Sequence, residues 1–354
     1  MCINSQTWLY MNRIILFLVL LSQLPTRQNA YAQTTNDRRQ QYASLGDFLL
    51  ENGQKIIDCK IGYRTLGKLN EKRSNAIIYL PGGGTTTYMM ELFGAGIDVD
   101  TTRFCLILID ALGNGVSSSP SNSLSQPRTL FPQFSIRDMV NTQYKVLTEN
   151  LNIHHLAAVM GGSMGGLQAL QWAVSYPGFM DKVVSIDATP KLSTYDLLWM
   201  NTYVEAVTSD TAYHEGNYKV NPVSPLAKHL TRLVLTTPAN LNSTVPADSF
   251  SVWLASTEQN PFNNDCNDFL WQTKAVMMHD ISTTAGGSLE NTAKMIKAKM
   301  LIIANKQDHT INQDLSIKFA KLVNAELMVM DNDLGHLIFG EEIPINATRK
   351  FLSQ

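Results

Sequence analysis

At Ser163 the chain has to turn from strand to helix within a single residue. Leu156-Ala-Ala-Val159 is a short apolar run without helical spacing, Met160-Gly161-Gly162-Ser163-Met164-Gly165-Gly166 follows directly, and 167–175 then reads as helix. Such a corner forces its residue into a strained backbone conformation, in which a side chain two positions before or after would collide. Gly161 and Gly165 remove the collision, while Gly166, Ala169 and Ala173 form a small stripe that allows close packing on a sheet. The Ser163 hydroxyl is thereby lifted clear of the sheet and set at a helix N-terminus, whose free N–H groups favour developing negative charge. A bare Gly-x-Ser-x-Gly often marks only a tight turn; strand before and helix after make this one a nucleophile elbow.

An elbow needs a sheet around it, and the chain supplies one. Apolar runs at 76–80, 104–109, 156–159, 183–186, 300–304 and 326–330 have the length and the bounding Gly, Asp or Asn of strands buried on both faces of a parallel sheet. Upstream, 48–50 and 56–65 flank Asn52-Gly53, a hairpin signal in which Ile57, Cys59, Ile61 and Tyr63 should alternate as one buried face. Helical stretches lie between the strands. The clearest, 136–151, opens with Ser135 as N-cap and Asp138 three residues on, a near match to a capping box. This alternation implies an α/β fold with a mostly parallel, doubly wound sheet. The stretch 190–288 breaks it: rich in Asn, Thr, Ser, Tyr and Trp, with a helical piece at 269–279, it reads as a helical cap inserted between core segments 33–189 and 289–354. A chain of 354 residues, 44% hydrophobic, can bury a core of that size.

A serine hydroxyl is a weak nucleophile and requires a base, normally a histidine oriented by a carboxylate. In this architecture the chain order is Ser, acid, His. His336 follows the last strand, with Gly335 freeing the loop that aims it over the sheet; His154, His155, His214, His229 and His279 suit surface or structural roles better. For the acid, Asp308 lies in the polar loop after 300–304 and is preferred over Asp187, Asp331 and Asp333, with His309 a bystander. A tetrahedral intermediate needs two backbone donors. The N–H of Met164 is one, and Gly83, in Pro81-Gly-Gly-Gly-Thr85 after the first core strand, is assigned the other, to within about one position. No Lys-Ser or Lys-Thr follows those glycines, which excludes a phosphate-binding P-loop. The chemistry requires no metal and no organic cofactor.

The N-terminus has a logic of its own. Met11-Asn-Arg13, the apolar run 14–21 and Ala30-Tyr31-Ala32 occur in the order of a secretory signal peptide, 1–32, so the mature protein is expected outside the cytoplasm, periplasmic or secreted, without a membrane anchor. Cys59, Cys105 and Cys266 remain after cleavage, with no metal-ligand spacing, and nothing selects a pair among them. With 28 Lys+Arg against 30 Asp+Glu there is no basic stripe, which argues against nucleic acid as a partner.

Beyond the elbow, Phe48-Leu-Leu-Glu-Asn-Gly53, Ile61-Gly-Tyr-Arg-Thr-Leu-Gly-Lys-Leu-Asn70, Phe131-Pro-Gln-Phe-Ser-Ile-Arg-Asp-Met-Val140, Gln168-Ala169, Trp172-Ala173 and Tyr176-Pro177 resemble the homoserine O-acetyltransferase branch of the α/β-hydrolases, as do Ser209-Asp210 and Gly216-Asn217-Tyr218. The resemblance spans the mature chain and implies the α/β-hydrolase fold and the same triad, Ser163, Asp308 and His336. Family members are often dimers, which leaves a homodimer open; no periodic seam establishes one. Departures bear on substrate. The family's usual Arg-Gln-Ala-Ile, whose arginine holds the substrate carboxylate, is Val204-Glu-Ala-Val207 here; the aspartate usual after the histidine is Leu337; and Pro81-Gly-Gly-Gly-Thr85 replaces the usual His-Ala-Leu-Thr-Gly. Loss of both charged groups, in a protein exported away from acetyl-CoA, favours transfer of the acyl group of a small-molecule ester to water. An O-acyltransferase and a non-catalytic binding protein that kept the fold are the alternatives.

Overall fold

Eight strands form one sheet in the computed structural model, which describes residues 38–86, 99–259 and 264–354. The expected signal peptide lies outside the described residues. Strands β1 (Gln41–Leu49) and β2 (Lys55–Leu66) are the antiparallel hairpin, and β2 continues antiparallel to β4 (Cys105–Ile109). From β4 onward all pairing is parallel, through β3 (Ala76–Leu80), β5 (Leu156–Gly162), β6 (Met180–Ile186), β7 (Lys299–Asn305) and β8 (Glu326–Met330), in the order β1-β2-β4-β3-β5-β6-β7-β8. Side chains alternate across it. Ile78, Leu80, Ile107, Val159 and Ile302 enter the core on one face, and Ile77, Tyr79, Leu106, Met160 and Ile303 on the other.

Helices cover both faces. Helix α1 (Ile136–Lys145) carries the complete Ser135/Asp138 capping box, and α2 (Met164–Ser175), with Leu167, Leu170 and Trp172 buried, packs beside it on the first face. Between β6 and β7 come α3 (Thr194–Thr208), α4 (Pro225–Leu235), α5 (Pro238–Thr244), α6 (Phe250–Gln259), α7 (Cys266–Met277) and α8 (Leu289–Met295). Helix α9 (Asp314–Leu322) links β7 to β8, and α10 (Glu342–Ser353) closes the chain with Phe351 and Leu352 buried on the second face. Helix α7 is tied to the loop after β4: Gln272 Nε2 donates to Leu112 O (2.9 Å), Trp271 Nε1 to Phe131 O (3.0 Å), and Ser121 N to Asp268 Oδ1 (2.9 Å). Among the described residues no helix is long and apolar enough to cross a membrane, and Cys59, Cys105 and Cys266 are free, buried thiols.

Three local expectations need correction. Ile57 is not on the buried face of β2; Ile56 is, because Asp58 adopts a left-handed conformation (φ 51°) and the register shifts by one between Ile56 and Cys59. The helix expected over 136–151 is α-helical only to Lys145 and continues as a π turn, Val146–Asn150, before Leu151. Strand β8 is not buried on both faces: it is the sheet edge, and Leu327 and Val329 are exposed. An apolar run signals a strand without saying how many neighbours it has.

Candidate active site

Ser163 stands between β5 and α2 with φ 54° and ψ −128°, a conformation that costs an L-residue about 1–3 kcal/mol and persists only where its surroundings impose it. They do so here. Ser163 N donates to Ile186 O at the end of β6 (2.9 Å), and Ser163 O accepts from Leu167 N (3.0 Å) in the first turn of α2. A Cβ on Gly161 would lie 2.5 Å from the Gly165 carbonyl, and one on Gly165 would run into the Leu80 carbonyl of β3. The two glycines thus let three backbone segments converge beneath the serine.

All the parallel strands end on the same side of the sheet, so loops after β3, β5, β6, β7 and β8 meet there. The loop after β8 brings His336, whose Nε2 lies 2.8 Å from Ser163 Oγ. Its other nitrogen, Nδ1, lies 2.8 Å from Oδ2 of Asp308, from the loop after β7. Imidazole and carboxylate are both buried, and Asp308 is held further by the Thr310 and Ile311 amides on Oδ1 (2.7 and 3.0 Å) and by Gln313 Nε2 on Oδ2 (3.1 Å). With Oδ1 saturated by amides, Oδ2 faces the imidazole. That arrangement keeps the proton on Nδ1 and turns the Nε2 lone pair to the serine.

Several positioning groups carried no signal in the sequence. Asn305, fully buried at the end of β7, donates through Nδ2 to Gly335 O (2.7 Å) and to Asn332 O (3.1 Å), fastening the histidine loop to the acid strand. The end of α4 and the segment joining it to α5 clamp both loops: Leu235 O accepts His336 N (2.9 Å) and Thr237 Oγ1 donates to Asp333 O (3.0 Å) on the histidine loop, and Val234 O accepts Thr310 Oγ1 (2.9 Å) on the acid loop. Gly335 has φ 62°, and a Cβ there would stand 2.9 Å from Thr236 Cα, so the clamp closes only over glycine. Of the rival acids, Asp331 is an exposed partner of Gln307 (2.8 Å), whereas Asp187 is buried at the end of β6. Burial first, and the neighbouring Asp308 second, raise the Asp187 carboxyl well above the ordinary carboxylate range.

The loop after β3 borders the serine on its other side. A Cβ on Gly82 would lie 3.3 Å from Ser163 Cβ and 3.9 Å from its Oγ, so Gly82 is the residue pressed against the nucleophile; the corresponding position on Gly83 meets only Phe269 of α7, at 3.8 Å. Gly84 N is already bonded to Gly82 O (3.1 Å), which removes it as a free donor. Both ends of this loop are pinned. Gln168 Nε2 of α2 reaches Pro81 O (3.3 Å), and Asp110, buried at the end of β4, accepts Thr86 N (2.8 Å) and Thr86 Oγ1 (2.9 Å). Met164, whose N–H is the other expected donor, opens α2 directly after Ser163 and is buried. Asp187, Asp308 and His336 form, among the described residues, the cluster with metal-ligand spacing, yet both His336 nitrogens are engaged by Asp308 and Ser163. The arrangement is suited to acyl transfer through serine.

Residues 75–343 match the alpha/beta hydrolase fold family. The ethyl acetate hydrolase of Pseudomonas veronii is 30% identical over 330 residues, covering 89% of this chain and 94% of that protein. The homoserine O-acetyltransferase of Zymomonas mobilis is 28% identical over 357 residues, covering 87% and 95%. Among solved structures, the acetyl esterase MekB superposes with a TM-score of 0.82 at 27% identity, covering 90% of this chain and 98% of its own.

Proposed function

The chain belongs to the α/β-hydrolase fold family, and from that premise we propose that it is an exported serine esterase that passes the acyl group of a small carboxylic ester through Ser163 to water. The carrying observation is the unbroken line from Ser163 Oγ to His336 Nε2 and from His336 Nδ1 to Asp308 Oδ2, 2.8 Å at each link. In the first half-reaction His336 takes the hydroxyl proton as Oγ attacks the ester carbonyl. Asp308 stabilises the imidazolium, and the N–H of Met164, with an N–H of the Gly82-Gly83 turn that borders the serine, receives the oxyanion. His336 then returns the proton to the leaving alcohol, and the acyl-serine remains. Water enters on the same face, His336 removes its proton, and the acid is released with Ser163 regenerated. Each step uses groups of this chain alone.

Transfer to an amino-acid alcohol is the second reading, favoured by the similarity to homoserine O-acetyltransferases. The residues that would hold such an acceptor speak against it. Val204 on α3 is half-buried against the core, its neighbour Glu205 is exposed and engaged by Asn201 Nδ2 (2.7 Å), and Leu337 follows the histidine. Burying a carboxylate and an ammonium against Val204 and Leu337 would leave both charges without partners, at a cost of about several kcal/mol; a neutral ester incurs none. The deciding assay gives the protein acetyl-CoA with homoserine in one tube and a short-chain ester in another, following free CoA and released acid. Ester hydrolysis should dominate and should vanish, with fluorophosphonate labelling, in Ser163→Ala. Homoserine-dependent CoA release that outpaces ester hydrolysis would restore the transferase.

A further inference from the structure

Adjacent strands β6 and β7 each deliver a carboxyl group to His336. Asp308 meets Nδ1; Asp187, left-handed at φ 43° and fully buried, ends β6 beside it. Asp187, Asp308 and His336 each bring one ligand-type atom within 4.8 Å of those of the other two. Asp187 Oδ1 accepts Asn305 N at 2.8 Å, whereas its Oδ2 is buried with no hydrogen-bond partner. The hydrolytic cycle gives this group no task. Two carboxyls so close in a dry site do not both ionise readily. Asp308, whose Oδ1 accepts two amides, is the one equipped to carry the charge, which leaves the proton on Asp187.

We propose that Asp187 is a reserve acid for the triad, a second carboxyl that stays neutral while Asp308 is ionised and takes over the orientation of His336 when Asp308 is removed. The proposal rests on the serine-esterase reading. In the takeover Asp187 loses its proton to solvent, and the freed carboxylate accepts the Nδ1–H that Asp308 held, so the imidazole keeps the tautomer that Ser163 needs. The cluster spans no more than 4.8 Å, so the takeover asks for a side-chain adjustment toward a hydrogen-bond distance of about 3 Å. The titratable groups facing Asp187 are Asp308 and His336, with Asp196 of α3 beyond Asp308.

The test is kcat/KM for p-nitrophenyl acetate against pH in the wild type, Asp308→Ala, Asp187→Asn/Asp308→Ala and Ser163→Ala. Asn at position 187 can still accept from Asn305 N, so the double variant differs from the single one in lacking an ionisable group rather than a structural bond. Asp308→Ala should fall roughly 100-fold and the double variant roughly 10,000-fold, the scale for losing a triad acid outright. Residual activity of Asp308→Ala should decline toward acid along a limb displaced to higher pH than the wild type's, because Asp187 must ionise to act, and the double variant should lack that limb. Equal activity in the single and double variants, or coincident pH profiles, overturns the proposal. If circular dichroism shows Asp308→Ala unfolded, Asp308→Ser, which keeps an acceptor for the Thr310 and Ile311 amides, takes its place under the same criteria. Wild-type turnover in Ser163→Ala is a separate result: it overturns the esterase reading, and the reserve acid with it.

Discussion

Asp268 joins the helices between β6 and β7 to the core through a carboxyl that titrates near neutrality. It sits in the first turn of α7, is 1% exposed, and meets Ser121 through N on Oδ1 (2.9 Å) and Oγ on Oδ2 (2.5 Å). Burial pushes it from 3.8 to about 7, against the lowering effect of the Ser121 bonds, with Asp265 adding a smaller push. The folded-state value is raised, so the protonated form is the one folding favours. Its stability contribution is therefore complete below the unfolded value near 4 and is lost as pH rises through 7. Three pH units at about 1.4 kcal/mol each make about 4 kcal/mol. Asp268→Asn removes the charge while keeping an acceptor for Ser121 N and a donor for Ser121 Oγ. Urea unfolding followed by tryptophan fluorescence suits the joint, since Trp271 on the same helix donates to Phe131 O across it. The wild type should lose stability between pH 5 and pH 8, and Asp268→Asn should lose markedly less and be the more stable of the two at pH 8. A variant whose stability falls in parallel with the wild type's, or that is the weaker at pH 8, refutes the reasoning.

Gly165→Ala should cost more than about 3 kcal/mol, or prevent recovery of soluble protein, because its Cβ has no room at the Leu80 carbonyl; a thermal midpoint near the wild type's would contradict the packing of the elbow. Asn305→Ala should lower kcat about 10- to 100-fold with little change in KM, since it frees the His336 loop rather than the substrate site; steady-state kinetics on one ester separates the two constants. N-terminal sequencing of protein recovered outside the cytoplasm should begin at Gln33; an uncleaved chain confined to the cytoplasm would end the export proposal.

Residue order alone specifies those parts of the protein whose physics is local. The elbow was legible because the clash that demands Gly161 and Gly165 is set by a strand–Ser163–helix junction, whatever the rest of the chain does. Strands β3 and β8 run as expected over 76–80 and 326–330, and the Ser135–Asp138 box closes as written, since each depends on neighbours a few residues apart. Chain order favours Asp308 as the partner of His336, but the fold alone shows what aims its carboxylate. Asp187 directly follows β6 and Asp308 lies in the loop after β7, and β6 pairing with β7 brings both to the imidazole; saturation of Asp308 Oδ1 by two amides turns its Oδ2 to Nδ1. The clamp of Leu235 and Thr237 on the histidine loop joins residues about a hundred positions apart, and nothing in either segment announces the other. Even the one-residue exchange of Ile57 for Ile56 followed from a left-handed Asp58, a conformation that hairpin register imposes and that an aspartate does not declare.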